Sequence, residues 1–232
     1  MPRPTKLERS APRRARAASA EKRARLLDAT EEIILREGYA AVSSRNVAAR
    51  VGIQAPLLHY YFPTIDDLFV AVLRRRAERN MERMAAALAS DAPMRAWWKL
   101  AANPRGAALL MELMAAANHR PALRAEVGEV AREIRQMQMR TLSPRLAEYG
   151  LDADRFPPAL IAAAMHGLAF GLVADEVAGY DTAHAEARAA MTALLESLER
   201  RRCLTARVDR RRDPSESGRA PRARPARRNR IA

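Results

Sequence analysis

The 232 residues suffice for one large or two small domains with a hydrophobic core, and their composition favours helices: 49% hydrophobic, 5% aromatic, nine glycines. A single cysteine, Cys203, excludes an internal disulfide and a cysteine-based zinc site within one chain. The net charge of +14 sits at the ends: residues 1–25 hold nine basic and two acidic side chains, residues 200–232 thirteen and three, and the stretch between 19 and 22. Basic ends of this kind either add sequence-independent affinity for a polyanion such as nucleic acid or act as solvated tails that aid solubility. No apolar stretch follows the N-terminal charges, so they do not read as a secretory signal, and Pro2, Pro4 and Pro12 oppose the amphipathic helix of a transit peptide.

Residues 1–18, rich in proline, arginine and alanine, read as a disordered basic arm. A first helix is predicted from Ser19 to Glu37, with Leu26, Leu27, Ile33 and Ile34 at helical spacing and Gly38 as its stop. Ser43 stands where an N-cap belongs, and Ser44 to Val51 makes a short second helix closed by Gly52. Gln54 opens a third helix over about 54–62, with Pro56 in its first turn and Pro63 ending it. Thr64 and Asp67 form a capping-box pattern for a fourth helix reaching about Ser90, with Leu68, Phe69, Val72 and Leu73 on its buried side.

Further helices are predicted at 92–102, 105–118, 121–148, 157–178 and 181–202, broken by prolines and glycines. The longest apolar run, Pro157 to Ala174, approaches membrane-spanning length. It contains His166 and ends at Asp175-Glu176, so it reads as a buried interface helix of a cytoplasmic protein. No segment alternates with period two. The expectation is an all-α chain: a disordered basic arm (1–18), a three-helix N-terminal domain (19–63), a second helical domain (64–202) and a disordered arginine-rich tail (203–232).

Two short helices joined by a glycine turn, after a longer helix, form a helix-turn-helix. Val47, Ala48, Val51, Ile53 and Leu58 can lock the short pair at a steep angle, which projects the second of them into a major groove with its first-turn N–H groups toward a phosphate. Residues 26–72 resemble the DNA-binding region of the TetR family of repressors. The resemblance runs from Leu26-Leu27-Asp28-Ala29 through Gly38-Tyr39, Arg45-Asn46-Val47-Ala48 and Val51-Gly52-Ile53 to Leu58-His59-Tyr60-Tyr61-Phe62-Pro63 and Asp67-Leu68.

That resemblance implies a dimer reading palindromic double-stranded DNA, with roles assigned position by position. Ser43 would cap the second helix beside a phosphate, and Arg45 would reach a base, an arginine there suiting guanine. Gln54, in the recognition helix's cap position, has an amide long enough to meet a base edge. Leu57 occupies a place where a phosphate-binding threonine is common; His59 and Tyr60 would face the DNA, and Tyr61 and Phe62 would pack inward. The family's frequent lysine or arginine is missing at Ala55 and at Ile65. Residues 26–62 carry three arginines against four acids, so phosphate attraction is expected from Lys22, Arg23 and Arg25 and the basic arm.

The resemblance further implies a ligand pocket among the middle helices and dimer pairing through the last two. Gly167 and Gly171, four apart on an apolar helix, with Met191, Leu194, Leu195 and Leu198 on the next, suit that interface, although the same stripe would serve an intramolecular core. Trp97, Trp98, Met111, Met114, Met137, Met165, His166 and Phe170 are candidates to line a pocket for a hydrophobic or amphipathic small-molecule effector, the alternative for each being ordinary core. The four histidines, at 59, 119, 166 and 184, make no metal-ligand pair and no glycine-rich phosphate loop appears, so no metal or cofactor is expected. Two rival classes stand beside the regulator: a weakly specific DNA-packing protein working through its basic tails, and a helical enzyme.

Overall fold

The computed structural model describes residues 6–212, with side chains described for 16–203. Helix α1 (Lys6–Glu37) begins well upstream of the expected Ser19, so residues 6–18 are helical rather than disordered. Alanine and arginine are strong helix formers, and extending a helix costs less than nucleating one, so the helix runs through Pro12 at the loss of one backbone hydrogen bond. Gly38 ends α1 at φ 82°, ψ 164°, a conformation open essentially to glycine alone, and leads into a single 3-10 turn at Tyr39–Ala41.

The next three helices fall where the sequence put them. Ser43 caps α2 (Ser44–Val51), its Oγ accepting from the Asn46 N–H, and Gly52 closes it in the left-handed region at φ 74°. Gln54 is the N-cap of α3 (Ala55–Tyr61) without a side-chain cap bond, and Phe62 is its C-cap. Helix α4 (Ile65–Leu88) opens with a complete capping box: Thr64 Oγ1 accepts from the Asp67 N–H at 3.0 Å, and Asp67 Oδ2 accepts from the Thr64 N–H at 2.9 Å.

Proline occupies the first position of α5 (Pro93–Ala101), α6 (Pro104–Ala117) and α7 (Pro121–Leu142), where its missing N–H costs nothing. The predicted helix 121–148 is not α-helical throughout. Pro144 cannot donate to the previous turn, and the chain tightens into a 3-10 segment at Ser143–Tyr149. Helices α8 (Pro158–Val177) and α9 (His184–Arg212) follow. Helix α9 runs past 202, so residues 203–212, expected in the disordered tail, are helical; the expectations for 1–5 and 213–232 lie outside the described residues.

Two cores organise these helices. In the first, Leu26, Leu27, Ile33 and Ile34 of α1 meet Val47 of α2, Leu58 of α3, Leu68, Phe69, Val72 and Leu73 of α4, Leu109 and Leu113 of α6, and Leu123 and Val130 of α7. The second joins Met84 and Leu88 of α4 to Met94, Trp97 and Trp98 of α5, Met165, Ala169 and Leu172 of α8, and Leu195 of α9. Pro63, expected as a domain boundary, therefore marks a bend in the chain and no break in packing, because α4, α6 and α7 complete the apolar shell around the three N-terminal helices.

Polar clamps reinforce the junction between α1 and α4. Arg75 donates to Glu31 at 2.5 Å, to Asp28 at 2.8 Å and to the Ala24 carbonyl at 3.2 Å. Across α6, the Tyr39 N–H donates to Glu112 Oε2 at 2.8 Å, tying the turn before α2 to a helix of the rear layer.

Candidate functional site

Helices α2 and α3 cross over a few fully buried side chains. Val47 and Leu58 have no exposed surface, Ala48 is 2% exposed, and the Ile53 N–H returns to the Ala48 carbonyl at 3.0 Å. The left-handed Gly52 donates to both Ala48 and Ala49 carbonyls, so the turn between the helices is set by backbone hydrogen bonds as well as by packing.

That clamp leaves one face of α3 outward. Gln54, Pro56, Leu57, His59 and Tyr60 are exposed, Tyr60 by 76%, and Gln54, Leu57 and Tyr60 rim a shallow groove with Gly52, Ile53 and Pro56. His59 Nδ1 lies 3.1 Å from the Pro63 carbonyl, which makes Nδ1 the donor and turns Nε2 outward as the free ring nitrogen. Tyr61 and Phe62 turn inward as expected: Phe62 is 2% exposed, and Tyr61 is half-buried with its hydroxyl 3.5 Å from Ser19 Oγ.

The other sequence candidates divide into free and engaged groups. Lys22 and Arg45 are exposed, and no carboxylate pairs with either among the described residues. Arg23 is exposed but lies over the Phe62 ring at 5.0 Å, and Arg25 donates to the Val51 carbonyl at 3.2 Å, so both also brace the helix-turn-helix. Ser43 is exposed and its oxygen serves as cap acceptor, which leaves the hydroxyl proton to donate. Ala55 and Ile65 are half-buried, and Ile65 packs on the first core.

The count of −1 over residues 26–62 overstates the local negative field. All four acids are paired: Glu32 with Arg36 at 3.1 Å, Glu37 with Arg50 at 2.5 Å, and Asp28 and Glu31 with Arg75, a residue outside that span. Arg75 was invisible to a local count because it arrives from α4.

A cavity of about 510 Å³ lies behind this layer, bounded by α1, α4, α5, α6, α7 and α8. Of the eight expected lining residues, it gathers Trp97, Met114, His166 and Phe170; the last two stack with ring centroids 5.8 Å apart. Trp98 and Met165 are buried in the second core, Met137 packs against it, and Met111 is half-buried outside the cavity wall. These four point away because a helix shows the cavity only one stripe. Of the polar lining, sequence reading found only His166, although Arg76, Asn80 and Arg83 recur at helical spacing on α4 and could have signalled a polar wall.

The expected interface residues also divide. Leu195 is 2% exposed within the second core and is intramolecular, because the inner face of α9 closes over α5 and the 3-10 segment; Met191 and Leu198 pack against that core while staying half-buried. Leu194 is 56% exposed, and Gly167 is exposed on α8, with Gly171 half-buried one turn on. A Cβ added at either glycine would meet nothing within 4 Å. Helix α8 is long and apolar enough to cross a membrane by length and composition, and Leu160, Leu168 and Val177 on it are exposed.

A family model described as bacterial regulatory proteins, tetR family, matches residues 26–72, from the middle of α1 into α4. The HTH-type transcriptional repressor KstR of Mycolicibacterium smegmatis is 42% identical over 77 residues, which span 33% of this chain and 38% of that protein. A TetR transcription regulator from Haloarcula marismortui has the same fold, with a TM-score of 0.63 at 19% identity over 76% of this chain and 96% of the other. The multidrug binding protein EbrR, complexed with imidazole, aligns with a TM-score of 0.52 at 25% identity over 75% and 89%. The buried α2–α3 clamp with its left-handed Gly52 lies within the segment that the tetR family model matches, so the likeness in sequence to those bacterial regulatory proteins coincides with the helix-turn-helix.

Proposed function

We propose that this chain is a transcriptional repressor that reads a palindromic operator as a homodimer and lets go when a small molecule enters its cavity. The outward face of α3 carries the reading: it offers an amide at Gln54, a ring nitrogen at His59 and a hydroxyl at Tyr60 above a rigid buried clamp. Arg45 on α2 is the unpaired guanidinium nearest in sequence and suits the two acceptors of a guanine edge. Lys22, Arg23, Arg25 and the basic helical extension of α1 neutralise phosphates on the flanking backbone, with Ser43 adding a hydroxyl. Repression follows the relative KstR, a repressor, with which the aligned segment shares 42% identity.

Dimer formation through α8 and α9 is supported by the exposed apolar face of α8, where Leu160 and Leu168 flank the Cβ-free surface of Gly167. Pairing of that face with a second copy, in place of lipid, suits a cytoplasmic DNA-binding protein and sets two α3 helices on one face of a duplex. The cavity supports an effector site, and the neighbour EbrR is itself a multidrug binding protein.

Binding to palindromes upstream of its own gene, compared with random duplex at physiological salt, tests the reading. The expected preference is about a thousandfold or more. Alanine at Arg45 or Gln54 should remove about 1–3 kcal/mol on the operator alone. Affinities within tenfold of each other on the two DNAs would refute sequence-specific repression in favour of weakly specific packing through the basic ends.

A further inference from the structure

Resting on the effector reading above, the geometry points to an amphipathic anion as the ligand class: an apolar body ending in a carboxylate, sulfonate or phosphate. The cavity wall is largely aliphatic and aromatic, yet five arginines reach it: Arg76, Arg79 and Arg83 from α4, Arg105 from α6 and Arg135 from α7. None of the five has a carboxylate within ion-pair distance among the described residues. Arg76 donates to the Gly106 carbonyl at 2.8 Å and Arg135 to the Ala159 carbonyl at 3.3 Å, bonds that position the guanidiniums without neutralising them.

The single acid on the wall, Glu31, is already held by Arg75 at 2.5 Å. Other arginines of the same helices do meet acids: Arg74 and Arg75 of α4 and Arg132 of α7 are ion-paired. Five arginines without an ion-paired acid among the described residues thus line one cavity, whose only carboxylate is already engaged by Arg75.

The arrangement has a gradient. Arg79, Arg83 and Arg105 are exposed, Arg76 and Arg135 are half-buried, and the apolar wall includes Trp97 and Phe170. Arg135 and Arg76 also bear on His166: burial, then these two positive charges, hold its imidazole below the usual protonation range. An anionic head among the guanidiniums would relieve this repulsion and accept planar, two-pronged hydrogen bonds, while its apolar body takes the aliphatic wall. An uncharged ligand of the same shape leaves the repulsion in place.

The test uses the full chain and two fluorescent probes that share an apolar body: 1-anilinonaphthalene-8-sulfonate and the uncharged N-phenyl-1-naphthylamine. Energy transfer from tryptophan, measured in Trp98→Phe so that Trp97 in the cavity wall is the donor, and its loss in Trp97→Phe, report probe bound near the cavity. The sulfonate should bind roughly tenfold or more tightly than its neutral analogue, the scale of one charge-assisted hydrogen-bonded pair, with the advantage shrinking as salt rises. Arg83→Gln and Arg105→Gln, both at exposed positions, should erode that advantage stepwise, and adding Arg135→Gln should abolish it while N-phenyl-1-naphthylamine binding stays unchanged. Equal affinity of the two probes, or an advantage untouched by the substitutions, overturns the anion assignment and leaves the effector cavity intact. Failure of both probes to reach the cavity, or to release operator DNA when bound, overturns the effector reading along with it.

Discussion

Gly52 allows the helix-turn-helix to be tested at one backbone position. Its φ of 74° lies in the left-handed region, and a Cβ built there meets no atom within 4 Å. Gly52→Ala therefore adds no clash with a neighbour, and its cost is the strain of placing an L side chain in that conformation, about 1–2 kcal/mol. A stiffer unfolded chain returns about 0.4–1 kcal/mol, so the net loss should be about 1 kcal/mol. Gly52→Asn should lose less, because asparagine visits this conformation more readily. Urea unfolding should show the midpoint falling in the order glycine, asparagine, alanine at constant m, and heating should lower Tm by about 2–4 °C for alanine in a chain of this size. If alanine costs nothing, or asparagine costs more than alanine, the turn is held by something other than the glycine's conformation.

Three further outcomes are expected. Leu58→Ala, at a site with no exposed surface where α3 meets α1, α2 and α4, should destabilise by about 2–5 kcal/mol and weaken DNA binding in step with unfolding, read by urea melts and gel shifts on the same samples. Leu168→Asp and Leu194→Asp should yield a folded monomer by sedimentation at micromolar concentration, whereas Leu195→Asp should unfold the chain; a dimer surviving at Leu168→Asp would refute the α8–α9 interface. His166 has a folded pKa below its unfolded value of about 6.5, so the native state keeps its relative stability above that pH and loses it as pH falls and the unfolded state takes up the proton first. Urea midpoints measured from pH 7.5 to 5 should accordingly fall less in His166→Gln than in the parent; parallel profiles would show that the imidazole titrates freely.

Local chemistry made much of this protein legible from its residues alone. Serine at 43, glycine at 52, the Thr64–Asp67 pair and prolines at helix starts each act within one turn of backbone, and each element they delimit appears where those residues put it. The helix-turn-helix is such a local object, since its two short helices and turn carry their own apolar clamp. Helix length at the ends was harder to read, because arginine-rich stretches suit a disordered tail or a helix extension, and the choice depends on continuity with a helix already formed.

Facing direction belonged to the tertiary structure. Leu194 and Leu195 are adjacent and chemically identical, yet one is exposed and the other sits in the second core, because α5 and the 3-10 segment pack against only one side of α9. Met114 reaches the cavity and Met111 does not for the same reason. Charge was redistributed too: Arg75 comes from α4 to neutralise Asp28 and Glu31, while five other arginines are brought together facing one cavity with no ion-paired acid among the described residues. Pairing of that kind spans tens of residues in sequence and a few ångströms in space, so only the packing of α4, α6 and α7 around α1 decides which charges are cancelled and which remain free.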